Sequence, residues 1–199
     1  MLSSVMSRLN DRRDAAADLG EDAGFTLIEL MVVLLILAIL LAIAIPTFLG
    51  VTGGANDRAA QSNLNTALTT AKAAESQNAT QVYTGITAAT LHTNEPSISF
   101  IGGAVTTAGQ VSVYVSSDGN GIVLASWSPA SSGTCWYVSD NTATVTDATG
   151  PYTAASSNPP ALTAGTTYGR SALGTSKANC NATASIGSSA TWASSFSAA

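Results

Sequence analysis

Sixteen consecutive residues without a polar side chain, Leu30–Ile45 (LMVVLLILAILLAIAI), constrain this chain more than any other feature in it. With Phe25–Ile28 before it and Phe48–Leu49 after it, the apolar stretch reaches about 25 positions. At about 1.5 Å of rise per residue, a helix of that length crosses the ~30 Å hydrocarbon core of a bilayer. The run is apolar around its whole circumference, whereas a helix lying on a soluble domain carries one apolar stripe. Arg8, Arg12 and Arg13 precede it, and only Arg58 follows closely. The excess of positive charge before the span places the N-terminus in the cytoplasm and the bulk of the chain outside.

Residues 1–24 are polar, with acidic residues interleaved among those arginines and no apolar periodicity, and are expected to be a leader. Residues 25–50 form the membrane or core half of a long helix, in which Pro46, Gly50, Gly53 and Gly54 give a place to bend: proline removes a helix hydrogen bond and glycine lowers helix propensity. Residues 51–78 resume a helix, with Ala60, Leu64, Ala67, Leu68, Ala71 and Ala74 at amphipathic spacing. Asn56 or Asp57 is a candidate cap for its start, and Lys72 with Glu75 a candidate surface pair. From residue 79 onward the pattern is β. VSVYV (Val111–Val115), a turn containing Asp118-Gly119-Asn120-Gly121, and IVLASW (Ile122–Trp127) make a hairpin, because Asp-Gly and Asn-Gly tolerate the positive φ of tight turns. CWYVS (Cys135–Ser139) and TATVT (Thr142–Thr146) suggest a second strand pair. The last fifty residues read as irregular, with a short strand around Ala190–Phe196. The expected fold is α+β: a long N-terminal hydrophobic helix whose C-terminal half packs on a small antiparallel sheet, 79–199.

Composition narrows the chemistry. The 7 basic and 12 acidic residues make 10% of the 199-residue chain charged, against about 25% in an average protein. Such a chain offers no basic face for nucleic acid. Alanine supplies 35 positions and serine plus threonine 50, a small, uncharged body suited to an extracellular surface. One histidine and two cysteines provide too few ligands for most zinc sites, so no metal or other cofactor is expected. His92 stands in a polar stretch, LHTNEP, with no G-x-S-x-G elbow in the chain, and is expected in an exposed loop. The alternating oxygens of Asp118 and Asn120 lack the closing glutamate of a calcium loop. Trp127, Trp136, Trp192, Tyr114 and Tyr137 fit packing better than a ligand box. Asn78-Ala-Thr80 and Asn181-Ala-Thr183 match the glycosylation sequon at a frequency that chance explains. No catalytic residue emerges, and an enzyme is not expected. Cys135 and Cys180 lie in the outward-facing part, where a disulfide is permitted, and closing a loop of that length is worth about 4 kcal/mol in the chain-entropy estimate.

The junction GFTLIELMVVLLILAILLAIAIPTFLG, Gly24–Gly50, combines Gly-Phe, a carboxylate at Glu29, the apolar span and Pro46. It resembles the N-terminal region of type IV prepilins. That resemblance implies that a prepilin peptidase cuts between Gly24 and Phe25 and methylates Phe25. Removing 24 of the 199 residues leaves a mature chain of 175. It further implies a pilus assembly platform in the cytoplasmic membrane as partner, a homo-oligomeric filament outside the cell as product, Pro46 and the glycines as a segment that unwinds on packing, and one disulfide stapling a C-terminal loop to the sheet. The residues before the glycine, Glu21-Asp22-Ala23, depart from the family in having no basic member.

Glu29 also stands out on physical grounds. An ionisable group inside an apolar span costs a few kcal/mol on insertion scales and needs a partner. No Lys, Arg or His lies between Phe25 and Asn56, so the cation at its depth is the α-amine that scission creates on Phe25. Between axially staggered subunits, Glu29 of one meets the amine of the next and sets register. The alternatives are a pseudopilin of a type II secretion or competence apparatus, which shares this chemistry, and a surface binding module held by a permanent anchor. An ordinary secretory signal fits poorly, because Ile45-Pro46-Thr47-Phe48 offers no Ala-x-Ala cleavage site.

Overall fold

The computed structural model describes residues 25–129, 133–146, 149–153, 159–172, 177–184, 186, 190–197 and 199. The chain divides into two compact units, Met1–Thr47 and Phe48–Ala199. Helix α1, Leu27–Gln77, is helical through Pro46 and the glycines and contributes to both. In the first unit none of its side chains is buried.

In the second unit α1 turns its expected face, Ala60, Leu64, Ala67, Leu68 and Ala71, into a core. The sheet beneath it has six strands in sequential order: β1 Ser99–Ile101, β2 Gln110–Val115, β3 Gly121–Ser128, β4 Thr134–Asn141, β5 Gly165–Ala172 and β6 Thr191–Ala193. All neighbours pair antiparallel except β1 and β2, which are parallel. The expected α+β architecture is therefore present.

Alternation along the strands explains how one sheet serves two cores, since successive side chains point to opposite faces. Ile122 and Leu124 of β3 and Trp136 and Val138 of β4 join the helix-side core with Tyr83, Leu91 and Phe100. Val123 and Ala125 of β3 and Cys135 and Tyr137 of β4 face the other way, onto Val105, Val145, Tyr152, Cys180, Ala182 and Ile186. The second face is thus covered by loop residues, and a Cys135–Cys180 disulfide crosses it. Burial on both sides is why β3 reads as a nearly continuous apolar run.

The expected β2–β3 hairpin is present, with Val115 opposite Ile122. Gly119 in its turn has φ +73°, and a Cβ there would fall 2.0 Å from Thr84 Oγ1. Five local expectations are corrected. The last fifty residues are not irregular up to 190, because they supply β5, Gly165–Ala172, which pairs with β4 along its whole length. Thr142–Thr146 forms no strand; β4 pairs with β3 and with β5 instead. His92 lies not in a loop but on a seven-residue helix α2, Ala88–Asn94, with Nδ1 2.8 Å from the Ile98 carbonyl oxygen. Lys72 forms its ion pair with Asp140 of β4, at 2.9 Å, because its face of α1 looks onto the sheet. Asp57 lies inside α1 and accepts from Trp136 Nε1 at 3.0 Å, so it ties helix to strand and caps nothing.

Candidate functional site

The N-terminal segment owes its geometry to two polar side chains in an apolar sequence. Thr26 is the last residue before α1, and its carbonyl accepts from Leu30 N–H at 3.2 Å, the first intrahelical bond. The Thr26 hydroxyl accepts from Glu29 N–H at 3.2 Å. Glu29 Oε2 in turn accepts from Thr26 N–H at 2.9 Å and from the Thr26 hydroxyl at 2.8 Å. This reciprocal pattern is a capping box, which satisfies donors that a helix start otherwise leaves orphaned. Thr26 is thereby the N-cap of α1. The signal was legible: Thr-x-x-Glu just ahead of an apolar run is the box's sequence signature. Glu29 accordingly has hydrogen-bond partners within its own chain before any α-amine is made.

Beyond the box, Phe25 is 88% exposed, and Leu27 through Ile45 expose every large apolar side chain. Helix α1 is long and apolar enough over this part to cross a membrane. Pro46 lies inside the helix; one residue on, the Thr47 hydroxyl donates to the carbonyls of Ile43 and Ala44 at 3.2 and 2.9 Å. Such back-bonding to the preceding turn is a common pattern for threonine within a helix. A Cβ at Gly50 or Gly54 would meet nothing within 4 Å, so neither glycine serves a close approach. Gly24 and the rest of the expected leader, 1–24, lie outside the described residues.

The other candidates are dispersed. Asp118 is engaged by Ser116, Asn120 and Thr146. Tyr137 and Trp192 pack at 6.0 Å, Trp136 sits edge-on to Phe196 at 5.7 Å, and Lys177 lies 5.5 Å above the Trp127 ring. Tyr114 packs at 6.4 Å on Tyr152. Asn78 Nδ2 donates to the Val82 and Thr84 carbonyls, so the first sequon is spent on local structure. Among the described residues no cluster of three His, Cys, Asp or Glu side chains is placed to hold a metal.

Residues 21–45 match the profile of the prokaryotic N-terminal methylation motif. The chain carries the type IV prepilin signature. The methylation motif covers the Gly24–Phe25 junction, the Thr26–Glu29 box and the apolar run up to Ile45. No curated protein and no solved structure matches the chain.

Proposed function

We propose that this chain is the precursor of a type IV pilin, a structural filament subunit and not an enzyme. The observation that carries the proposal is the methylation motif running directly into a helical span, Leu27–Ile45, whose large apolar side chains are unburied on every side. Such a helix needs lipid before assembly and neighbouring helices after it. A prepilin peptidase cuts between Gly24 and Phe25 and methylates the new terminus. An assembly platform in the cytoplasmic membrane then lifts the subunit into an extracellular homo-oligomer. Glu29 sets register against the Phe25 amine of a neighbour, and Pro46, Gly50, Gly53 and Gly54 let the helix yield as subunits pack. The Ser/Thr-rich, disulfide-bonded sheet, 79–199, forms the outer face, which favours a surface pilus over a short internal pseudopilus.

Mass spectrometry of the protein from its host tests the first step: the mature chain begins at methylated Phe25. A chain still carrying residues 1–24 in cells with active peptidase points to a permanent anchor and defeats the proposal. Abundance in sheared surface fibres is expected of a pilin, whereas absence from them assigns the same processed chain to a pseudopilus. Glu29→Ala is expected to stay in the membrane and drop from the fibres by tenfold or more; normal fibre yield removes the registration role.

A further inference from the structure

The β2–β3 turn contains two dipeptides that are chemically labile in an unfolded chain. Asp118-Gly119 and Asn120-Gly121 stand side by side, and Asn120-Gly121 is the one Asn-Gly pair in the sequence. Glycine puts no side chain in the path of its own nitrogen, so that nitrogen reaches the carbonyl carbon of the preceding side chain with little hindrance. The fold nevertheless requires both glycines. Gly119 has φ +73°, and a Cβ on Gly121 would fall 2.5 Å from Tyr152 Oη and 2.6 Å from Asn141 Oδ1. Both glycine nitrogens are held by a single residue. The Gly119 N–H donates to the Ser116 carbonyl at 2.9 Å, and the Gly121 N–H donates to Ser116 Oγ at 2.8 Å. Ser116 is itself buried, with its N–H on the Gly121 carbonyl and its hydroxyl on Asp118 Oδ1. The Asn120 side chain is engaged elsewhere, its Nδ2 donating to the Thr144 carbonyl at 3.2 Å.

We propose that Asn120 is a self-modification site whose rate is set by Ser116: its side chain deamidates only in molecules whose turn has opened and freed the Gly121 nitrogen. In this step the Gly121 nitrogen gives up its proton and bonds to Asn120 Cγ, the bond from Cγ to Nδ2 breaks, and Nδ2 leaves as ammonia with that proton. Water then opens the resulting succinimide at either carbonyl, leaving aspartate or isoaspartate. Water is the only co-reactant, and nothing is oxidised or reduced. In the closed turn the proton that must leave is donated to Ser116 Oγ. Attack therefore waits for local opening, and the open fraction multiplies the rate. The product does not restore the turn. A carboxylate at 120 only accepts, so it loses the bond to the Thr144 carbonyl and brings a second negative charge beside Asp118. Isoaspartate also lengthens the backbone just ahead of Gly121, whose partner across β3 and β4 is Asn141. Modified molecules accumulate with age, each with its hairpin turn loosened from the 142–146 segment.

The experiment incubates the full-length protein in detergent at mildly alkaline pH, with and without denaturing urea. Mass spectrometry of the peptide containing Asn120 follows the gain of a water and the loss of an ammonia. The native parent is expected to react at least roughly tenfold more slowly than the unfolded parent, by the factor that hydrogen exchange gives for opening at the Gly121 amide. Ser116→Ala leaves that amide without its acceptor. It is expected to deamidate roughly fivefold to a hundredfold faster in the native state, the range for a buried donor left unpaired, and to match the parent in urea. Its Gly121 amide loses exchange protection, while the Gly119 amide, held by a backbone carbonyl, retains it. Equal rates for native and unfolded parent overturn the inference, as does the absence of reaction at Asn120 in urea. A parent-like native rate in Ser116→Ala, or a faster one with Gly121 protection unchanged, also overturns it. Should Ser116→Ala lose its β-sheet circular dichroism, the parent decides by itself at urea concentrations below its transition. Deamidation then rises in step with exchange at the Gly121 amide if the inference holds, and stays flat while exchange rises if it does not.

Discussion

Asp118 shows how much a single turn residue holds in place. Its Oδ1 accepts from the Ser116 hydroxyl at 2.6 Å and Asn120 N–H at 3.1 Å, and its Oδ2 from Thr146 N–H at 2.7 Å and the Thr146 hydroxyl at 2.9 Å. The hairpin turn and the 142–146 segment are thereby tied to one carboxylate. Desolvation works to raise its pKa, but the bonds from Ser116, Thr146 and Asn120 outweigh it and hold the carboxyl well below the usual carboxylate range. A depressed native pKa means that the unfolded chain binds the proton more readily. The stabilisation is complete above about pH 5, where the unfolded carboxyl is already ionised, and is lost as pH falls below about 4. Asp118→Asn is expected to lower the urea midpoint at pH 7 and to flatten its decline between about pH 5 and pH 3. An unchanged acid slope in that variant would show that the four bonds contribute nothing specific to the ionised form.

At the scale of elements, the fold rests on α1 lying against one face of the sheet through small and medium side chains. Leu64 is fully buried there, between Ala60 and Ala67. Leu64→Ala is expected to cost about 2–5 kcal/mol in urea unfolding of the intact protein, since its neighbours are too short to close the cavity. A cost under about 1 kcal/mol would mean that helix and sheet part easily. The elements that were legible are those whose periodicity is their own: the apolar span, the amphipathic spacing after it, and the β2–β3 hairpin with its turn. Those not legible depend on partners. GTTYGRSA of β5 has two glycines and little β-branched content, yet Gly169 is where the Trp192 ring lies close enough that a Cβ would sit 2.9 Å from it. The strand is selected by what covers it. TATVT has the better strand composition but is captured by Asp118 and by the Leu162 carbonyl, which accepts from Val145 N–H at 2.8 Å. Helix α2 has only seven residues, held by a Thr87–Thr90 box that lacks the usual glutamate, and Pro96 follows it closely. At the N-terminus the methylation motif was legible from residue type alone, whereas Thr26 could be read two ways, because threonine has two common helix roles.

On the scale of the whole second unit, the question is whether a sheet with a helix on one face and loops on the other unfolds as one body. The disulfide Cys135–Cys180 closes a 45-residue separation and holds Cys180 over the loop-side core. Replacing both cysteines by alanine is expected to cost about 2–4 kcal/mol. Three buried phenols report on both faces at once: Tyr83 on the helix side, Tyr137 and Tyr152 on the loop side. Burial pushes all three up, and at Tyr83 the hydrogen bond to Asp140 and its negative charge add to that. In the unfolded chain each ionises near pH 10. Native pKa values above unfolded ones mean that stability is full below pH ~10 and falls as pH rises beyond it, because the unfolded state then releases protons that the native state keeps. Raising the pH of the intact protein in detergent should therefore unfold this unit before the native phenols titrate. With the chain's other two tyrosines, Tyr114 and Tyr168, replaced by phenylalanine, three phenolate equivalents are expected to appear in ultraviolet absorbance over the same pH interval in which the β-sheet circular dichroism is lost. Two equivalents appearing ahead of that loss would show the loop-side face opening by itself. In that event the double alanine variant should lower the pH of the early step and leave the later one, carried by Tyr83 against α1, where it was.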